Sequence, residues 1–291
     1  MKYTLKQFRL DFPDDDACLD KLIEIRYGHN ICPDCQKETK FHRLTGRKQY
    51  SCQYCGHHVA PMAGTIFEKT TTPLTDWFYA MYLFTSTRHG VPAKELQRQL
   101  GVTYKTAWRM AHKLRELMAQ ADSTGLFGGI VEMDETYIGG KKRISHRRAN
   151  RKEGKTVVVG MVERGYRVRA GTVEKVLKKI VEPIINRHIA KGSTIHTDEG
   201  IWYNFIGKAG YKHESVKHVV KEYVRGNVHV NSIEGYWSRL KNSIKGTHVH
   251  VSPKHLNKYL SEFSFRYNSR HAPALMFYRI LSAVVKPYQA A

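Results

Sequence analysis

The stretch Ile130-Val-Glu-Met-Asp-Glu-Thr-Tyr137 decides the fold of this 291-residue chain. Apolar and acidic residues alternate through it, which is typical of a β-strand with two chemically different faces. Alternation places Glu132 and Asp134 on one face and Val131 and Met133 on the other. A carboxylate beside a core is unfavourable unless a cation compensates it. The strand therefore predicts a functional site at the edge of a core.

Two further acidic residues occupy comparable positions later in the chain. Asp198 closes the β-like run Ser193-Thr-Ile-His-Thr197, and Glu234 lies at the start of a helix-like run. Thirty-five residues, 199 to 233, separate the two, and Lys241 follows Glu234 after two helical turns. Three carboxylates that converge indicate a divalent metal, because Mg²⁺ prefers a few carboxylates together with water and phosphate. Two such ions about 4 Å apart can clamp the attacking and leaving oxygens of a phosphodiester.

The hydrophobic pattern around the acids predicts the order strand, strand, strand, helix, strand, strand, helix. A hairpin is expected at Arg164-Gly165, and Pro183 is expected to bend the first helix. The expected strands are Ile130–Tyr137, Thr156–Val162, Tyr166–Val173, Ser193–Thr197 and Lys212–His218, and the expected helices are Val176–Ile189 and Asn231–Ile244.

The net charge restricts the class of partner. Forty-eight Lys and Arg against 26 Asp and Glu give +22, and the pI is near 9.8. Such an excess favours a polyanion, and nucleic acid is the natural one. No window supplies the roughly 20 apolar residues of a membrane span, and the N-terminal residues lack the apolar core of a signal peptide. We therefore expect a cytoplasmic DNA-binding protein without a membrane partner.

Four of the five cysteines form two Cys-x2-Cys pairs separated by sixteen residues. Each pair can present two thiolates to one metal, so Cys32, Cys35, Cys52 and Cys55 are predicted to bind a structural Zn²⁺. A segment of this length buries little apolar surface, and the metal is expected to supply its folding free energy. Cys18 stands alone and is expected to be a small core residue.

Residues 91–110 predict a helix-turn-helix. Gly101 permits a sharp turn, and Thr103 is expected to cap the second helix. The outer face of that helix then presents Lys105, Thr106 and Arg109 to a DNA major groove. A plain helical hairpin within a core remains the alternative.

The order of the acids resembles the ribonuclease-H-like fold of DDE transposases and retroviral integrases. The spacing of Asp198, Glu234 and Lys241 also looks like that superfamily. Three motifs are similar to bacterial insertion-sequence transposases that carry an N-terminal zinc ribbon, and the likeness covers about residues 25–275. The motifs are Met133-Asp-Glu-Thr-Tyr-Ile-Gly-Gly-Lys141, Asn231-Ser-Ile-Glu-Gly-Tyr-Trp-Ser-Arg-Leu-Lys241 and Tyr259-Leu-Ser-Glu-Phe-Ser-Phe-Arg-Tyr-Asn-Ser-Arg270.

This resemblance implies that Asp134, Asp198 and Glu234 hold two Mg²⁺ or Mn²⁺ ions and that Lys241 contacts DNA near the scissile phosphate. Several assignments stay open at this point. Glu132 and Glu135 are alternatives to Asp134, and Glu199 is an alternative to Asp198. In some relatives the third acidic position is Asn, so Asn231 competes with Glu234; a neutral amide oxygen is a poorer ligand than a carboxylate.

The resemblance also organises the chain. We expect a multidomain α+β and α/β protein: a zinc ribbon, a helix-turn-helix, and then a ribonuclease-H-like mixed sheet flanked by helices. The expected segments are an N-terminal helical segment at 1–28, the zinc ribbon at 29–66, the helix-turn-helix at 73–120, the catalytic domain at 126–275 and a C-terminal tail at 276–291.

A basic segment between the first two catalytic strands offers further DNA contacts. Residues 141–155 contain eight Lys or Arg against one Glu. A solvated loop is the alternative, and both descriptions can hold before DNA arrives. Trp202, close after Asp198, is a candidate for contacting a distorted DNA end. The candidate contacts within the basic segment are Lys141, Lys142, Arg143, Arg147 and Arg148.

The sequence thus favours a bacterial transposase, nucleoid-associated when DNA is bound, that cleaves element ends and joins the 3′-hydroxyl to target DNA. The double-stranded DNA partners are the inverted-repeat ends and the target. Joining two ends needs at least two protomers, so a homodimer or larger synaptic assembly is expected. A zinc-ribbon and helix-turn-helix transcription regulator without catalysis is the alternative, and a nuclease without strand transfer is a second one.

Overall fold

The computed structural model describes residues 3–28, 31–122, 125–139, 155–216 and 224–284. The chain forms two compact units, one from residues 1–121 and 272–291 and the other from residues 122–271. The basic residues Lys141, Lys142, Arg143, Arg147 and Arg148 lie outside the described residues.

Helices dominate the first unit, and side chains cap its first two. The Thr4 hydroxyl accepts the Gln7 N–H at 3.2 Å, and the Asp14 carboxylate accepts the Ala17 N–H at 2.8 Å. The apolar faces of these helices provide buried residues such as Leu19. The helices are α1 (Leu5–Asp11), α2 (Asp15–Tyr27), α3 (Leu74–Ser86), α4 (Ala93–Leu100), α5 (Tyr104–Ala121) and α9 (Met276–Ala283).

A small antiparallel sheet follows α2. It consists of β1 (Phe41–Arg43), β2 (Tyr50–Cys52) and β3 (His58–Val59) in that order, and β2 is central. Tyr50 and Val59 are buried and directly paired across β2 and β3. So few buried side chains cannot hold a sheet of eight residues without further support.

Helices α4 and α5 have the turn and the cap that the sequence predicted between them. Gly101 ends α4 with φ +65°, a left-handed conformation that glycine adopts at little cost. The Thr103 hydroxyl accepts the Thr106 N–H at 3.3 Å and so caps α5. Leu96 and Met110 are fully buried, one from each helix.

The C-terminal segment differs from the tail that the sequence suggested. Met276–Ala283 form α9, and Phe277 and Leu281 are buried within the first unit. Phe277 contacts the rings of Phe12 and Phe78, with centroids 5.6 and 6.4 Å apart. The apolar residues at i, i+1, i+4 and i+5 were the available signal for a helix.

A mixed five-stranded sheet forms the second unit, in the order β6-β5-β4-β7-β8. Strands β4, β5 and β6 pair antiparallel, and β7 and β8 continue the sheet in parallel with β4. The order of these strands and helices along the chain is the predicted one. The elements are β4 (Ile130–Ile138), β5 (Thr156–Glu163), β6 (Val168–Val173), α6 (Lys178–His188), β7 (Thr194–Thr197), β8 (Lys212–Ser215), α7 (Asn231–Ser243) and α8 (Leu256–Asn268).

Several boundaries differ from expectation for local reasons. Tyr166 belongs to the hairpin turn, where its N–H donates to the Glu163 carbonyl at 2.9 Å, so β6 begins only at Val168. The helix around Pro183 starts at Lys178 and stops before the extended residue Ile189. After α7, Ile244–His248 continue as a short π-helix.

Each face of the large sheet has its own apolar core. On one face, Val158 and Val162 pack with residues of α7 and α8, including Trp237 and Leu260. On the other face, Val131 and Met133 pack with α6 and with the irregular turns after β7, including Tyr203. Because side chains alternate along β4, its acids are also divided between the two faces.

Among the residues for which the structure gives a description, no helix is both long and apolar enough to span a membrane.

Candidate active site and zinc centre

The four paired cysteines come together in the first unit. Their Sγ atoms all lie within 4.8 Å of one another. The distance is 3.7 Å from Cys32 to Cys55 and 3.8 Å from Cys35 to Cys52. A tetrahedral Zn²⁺ with bonds of about 2.3 Å requires sulfurs about 3.8 Å apart. The cluster therefore fits a structural zinc site, as the spacing predicted.

Neighbouring polar groups orient one of these ligands. The Tyr54 N–H lies 3.4 Å from the Cys52 sulfur, and the Thr39 hydroxyl lies 3.4 Å from the same atom. Thr39 is itself buried, and its hydroxyl also accepts the Gln53 N–H at 3.2 Å. Such contacts stabilise a thiolate and fix its direction toward a metal. Cys18 is fully buried elsewhere and does not belong to the cluster.

The register of the large sheet brings two of the three predicted acids side by side. Residues 130, 131 and 132 of β4 pair in parallel with residues 194, 195 and 196 of β7. The pairing ends there and β7 ends at Thr197, so Asp198 follows the strand directly, and its charge raises the pKa of Asp134. Both side chains are only partly exposed. The carboxyl end of β7 and the middle of β4 therefore contribute acids that interact electrostatically.

Asp134 is the most perturbed of these acids. Burial raises its pKa to about 7, and the like charges of Glu135 and Asp198 add to that effect. The Trp237 indole N–H opposes it by donating to Asp134 Oδ2 at 3.0 Å. A carboxyl group whose pKa lies near neutral pH because other acids are close by is strongly stabilised by a divalent cation.

Glu135 points to the opposite face of β4. Burial raises its pKa, and a hydrogen bond from the Tyr203 hydroxyl at 2.8 Å partly offsets that rise. Trp202 interacts with the same carboxylate, although its buried indole N–H has no acceptor at hydrogen-bond distance within the described part of the chain. Glu135 is therefore held on the sheet face that α6 and Tyr203 cover, opposite the face that α7 covers.

Glu132 shares a face with Asp134 but has a different role. Its carboxylate is completely buried. It accepts hydrogen bonds from the backbone N–H groups of Ser232 and Ile233, and it forms an ion pair with Arg164. Because these donors occupy both of its oxygens, Glu132 is a poor competitor for the metal-binding role.

Glu234 and Lys241 lie on one side of α7. Trp237 stands between them at spacings of three and four residues, so the three share a stripe along the helix. Asn231 lies about 120° round the helix from Trp237. Glu234, Asn231 and Lys241 are all exposed. Helical geometry therefore places Glu234 nearer than Asn231 to the residue that contacts Asp134.

The three acids do not yet form a closed ligand shell. Within the described ranges, the four cysteines are the set of three or more Cys, His, Asp or Glu side chains whose ligand atoms all lie within 4.8 Å of one another. Asp134, Asp198 and Glu234 do not form such a set. Asp198 contributes to the electrostatics of Asp134, whereas Glu234 is not among the groups that shift its pKa.

The predicted DNA-contacting residues occupy different environments. Lys105 and Arg109 are exposed on the first turns of α5, and the partly buried Thr106 lies 3.1 Å from the Thr103 hydroxyl. Trp202 packs against the core on the sheet face that α6 covers, and its ring lies over Gly200. That position supports the loop carrying Asp198 more directly than it offers a surface for stacking bases.

Sequence reasoning did not identify Trp237, Gly160 and Arg164 as parts of the site. Gly160 pairs with Asp134 across β4 and β5, and a Cβ at Gly160 would lie 2.5 Å from the Trp237 ring. An isolated glycine inside a strand often marks such a close approach, and that signal was present. Nothing local in the sequence indicated the contacts of Arg164.

Both units match known protein families. Residues 126–268 match the family model of the ISXO2-like transposase domain, and residues 13–58 match that of the transposase zinc-ribbon domain. An uncharacterized protein in transposable element ISH50 of Halobacterium salinarum is 28% identical over 274 residues, which cover 88% of this chain and 91% of that protein. The catalytic core domain of BIV integrase matches 46% of this chain and 81% of its own at 15% identity, with a TM-score of 0.31.

Proposed function

Because this chain belongs to the transposases that combine an ISXO2-like transposase domain with a zinc ribbon, we propose that it cleaves the ends of a mobile DNA element and joins the freed 3′-hydroxyl to target DNA. The observation that supports this proposal is that β7 pairs in parallel with β4 and ends immediately before Asp198, whose charge raises the pKa of Asp134. A regulator that only binds DNA has no use for two adjacent acids in a chain of net charge +22, since they repel phosphate unless a cation is present.

The donor set suits a pair of Mg²⁺ or Mn²⁺ ions held by Asp134, Asp198 and Glu234. Trp237 donates to Asp134 Oδ2 at 3.0 Å and so orients this carboxylate. Glu234 is exposed on the stripe of α7 that contains Trp237, and its flexible side chain would turn toward Asp134 when a cation binds. When bound, the cations supply neutralisation of the charge that develops on the phosphodiester oxygens.

The remaining steps depend on positioning by the chain itself. Lys241 lies two turns beyond Glu234 on the same stripe of α7 and would hold a DNA phosphate beside the acids. The exposed Lys105 and Arg109 of the capped helix α5 would contact the element ends. The zinc ribbon and helix-turn-helix would thus select the DNA, and alignment of the reacting groups would supply much of the rate.

Three single substitutions test the carboxylate assignment. We expect Asp134→Asn, Asp198→Asn and Glu234→Gln each to lower strand cleavage by at least about 100-fold, because removing one charge from a shared cation site weakens both binding and charge neutralisation. Binding to end DNA should persist. The measurement is Mg²⁺-dependent nicking of DNA that carries the inverted repeats flanking the gene.

Glu182→Gln is the matched control, because Glu182 is a surface acid of α6 whose ion-pair partner Lys178 lies 4.0 Å away. It should cleave like the wild type. Retained cleavage by Glu234→Gln together with loss in Asn231→Ala would move the third ligand to Asn231. A wild-type chain that binds the ends but never nicks them would support the regulator, and nicking without strand transfer would support a nuclease.

A further inference from the structure

A buried polar network underlies the acids, and Glu132 is its centre. The Glu132 side chain is 0% exposed on β4. Its Oε2 accepts the backbone N–H groups of Ser232 at 2.7 Å and Ile233 at 3.2 Å, and its Oε1 accepts the Ser232 hydroxyl at 2.9 Å. These donors belong to the first turn of α7, which has no cap from the side chain that precedes it. Glu132 therefore supplies the cap from a strand one hundred residues away.

Arg164 extends this network to two other segments. Its Nε donates to Glu132 Oε1 at 2.9 Å, and its Nη1 donates to the carbonyl and side-chain oxygens of Asn227 at 2.9 and 2.8 Å. Its Nη2 lies 3.2 Å from His196 Nδ1. Because arginine only donates, His196 must accept at Nδ1. One guanidinium thus joins β4, β7 and the segment that leads into α7.

The network contacts each of the three segments two residues before a predicted metal ligand. Glu132 precedes Asp134 by two residues, His196 precedes Asp198 by two, and Ser232 precedes Glu234 by two. Two residues is one repeat of a strand, so Glu132 lies on the same sheet face as Asp134, and His196 is the penultimate residue of β7, directly before the end that leads to Asp198. The network therefore fixes the base of each segment that presents a predicted metal ligand.

We propose that Glu132 and Arg164 are positioning residues, which set the separation of Asp134, Asp198 and Glu234 so that the three can share divalent cations. This inference rests on the proposed metal-dependent cleavage. Groups that orient metal ligands without touching the metal commonly change metal affinity by about 10- to 100-fold when they are removed. Glu132→Gln keeps the size of the side chain but loses the charge and one acceptor oxygen.

The control is another buried ion pair of the same unit. Glu262 on α8 is also 0% exposed and accepts from Arg266 Nη2 at 2.8 Å. Glu262→Gln removes a comparable charge without touching β4, β7 or the start of α7. A purely structural role for Glu132 predicts that the two variants bind Mn²⁺ with the same affinity.

The test uses the full zinc-loaded chain and Mn²⁺ as the probe. Electron paramagnetic resonance should show Mn²⁺ binding weakened about 10- to 100-fold in Glu132→Gln and unchanged in Glu262→Gln. Amide hydrogen exchange should be faster at Ser232 and Ile233 in the first variant alone. If Glu132→Gln does not fold, Arg164→Lys keeps the charge but loses the forked contacts, and it should weaken Mn²⁺ binding in the same direction.

The outcomes separate this inference from the proposed function. Unchanged Mn²⁺ affinity and unchanged cleavage in a folded Glu132→Gln or Arg164→Lys chain would overturn the positioning role and leave the transposase proposal standing. Mn²⁺ binding that depends on Glu132 in a wild type unable to cleave DNA would support positioning and contradict the function. A wild type that binds no Mn²⁺ outside the cysteine cluster would overturn both.

Discussion

Gly160 shows how one residue controls the approach of α7 to the sheet. It faces Asp134 across β4 and β5, and the missing side chain leaves room for the ring of Trp237. A Cβ there would lie 2.5 and 2.6 Å from two ring carbons and 3.0 Å from Ile233 Cδ1. Distances this short force the helix or the ring to move. The hydrogen bond from Trp237 to Asp134 therefore depends on a glycine that carries no chemistry itself.

Gly160→Ala tests that dependence. We expect a loss of about 1–3 kcal/mol in the free energy of unfolding, because overpacking at this site displaces Trp237. Urea denaturation monitored by circular dichroism provides the measurement.

Gly171→Ala is the matched control on β6, where an added Cβ meets no atom within 4 Å. It should be neutral or stabilising by about 0.4–1 kcal/mol, since alanine restricts the unfolded chain. If both variants changed stability by the same amount and sign, the ring of Trp237 would not lie over Gly160 as described.

At the scale of elements, helix ends are satisfied by residues from other elements. Helix α3 begins after Pro73 without a cap from that residue. Asp15, the first residue of α2, accepts the Thr75 N–H at 2.9 Å and the Thr75 hydroxyl at 3.0 Å. Burial alone would raise the pKa of Asp15, but the donors of Thr75 and Leu74 outweigh it and the net pKa is lowered. This contact joins α2 to α3.

The lowered pKa gives a definite pH dependence. A carboxyl group whose pKa is lower in the folded state stabilises the fold fully at pH values above its pKa in the unfolded chain, which is near 3.8. This stabilisation is lost as the pH falls through the pKa of the folded state. Asp15→Ala should therefore cost about 1 kcal/mol at neutral pH, the usual worth of a helix cap. The difference from wild type should shrink below pH 3.8.

Thermal unfolding at a series of pH values measures this difference. Asp16→Ala is the control, because Asp16 is 65% exposed and pairs with Arg43 at the surface. Exposed pairs contribute about 0–1 kcal/mol, so this variant should stay close to wild type. A constant penalty for Asp15→Ala across the whole pH range would exclude the ionised cap.

At the scale of the whole molecule, the second unit and the zinc ribbon of the first unit are stabilised by different means. The sheet of the second unit has an extensive core on both faces. The small sheet of the zinc ribbon buries few side chains, of which Tyr50 and Val59 are examples. Its order must therefore come largely from the metal that joins its four cysteines.

Zinc removal should consequently affect one part of the chain. Cys52→Ser, or a strong chelator, should abolish the zinc stoichiometry of one per chain and remove amide protection from β1 to β3. Amides of β4 and β5 should stay protected. Metal analysis and hydrogen exchange by mass spectrometry provide the two measurements.

Cys18→Ser is the matched control, since this buried thiol lies outside the cluster. It should retain one zinc per chain even where it lowers stability. Full zinc content in Cys52→Ser would contradict the four-sulfur site.

The sequence by itself determined the order of strands and helices along the second unit, the cysteine cluster, and the turn and cap between α4 and α5. These features depend on local periods of two and 3.6 residues and on short spacings, which covalent geometry fixes. The apolar pattern of a strand also fixes which side chains share a face, but not which residues of β4 and β7 pair.

Only the tertiary structure decided how the acids are held. Trp237 donates to an acid 103 residues away, and Ser232 donates to one 100 residues away. The sequence left Glu132, Asp134 and Glu135 as alternatives because the strand period alone cannot separate neighbouring carboxylates. Packing separates them: Glu132 caps a helix, Glu135 accepts a hydrogen bond from Tyr203 on the opposite face of the sheet, and Asp134 accepts one from Trp237. Such contacts depend on which surfaces meet after the chain has closed, and no local pattern encodes that meeting.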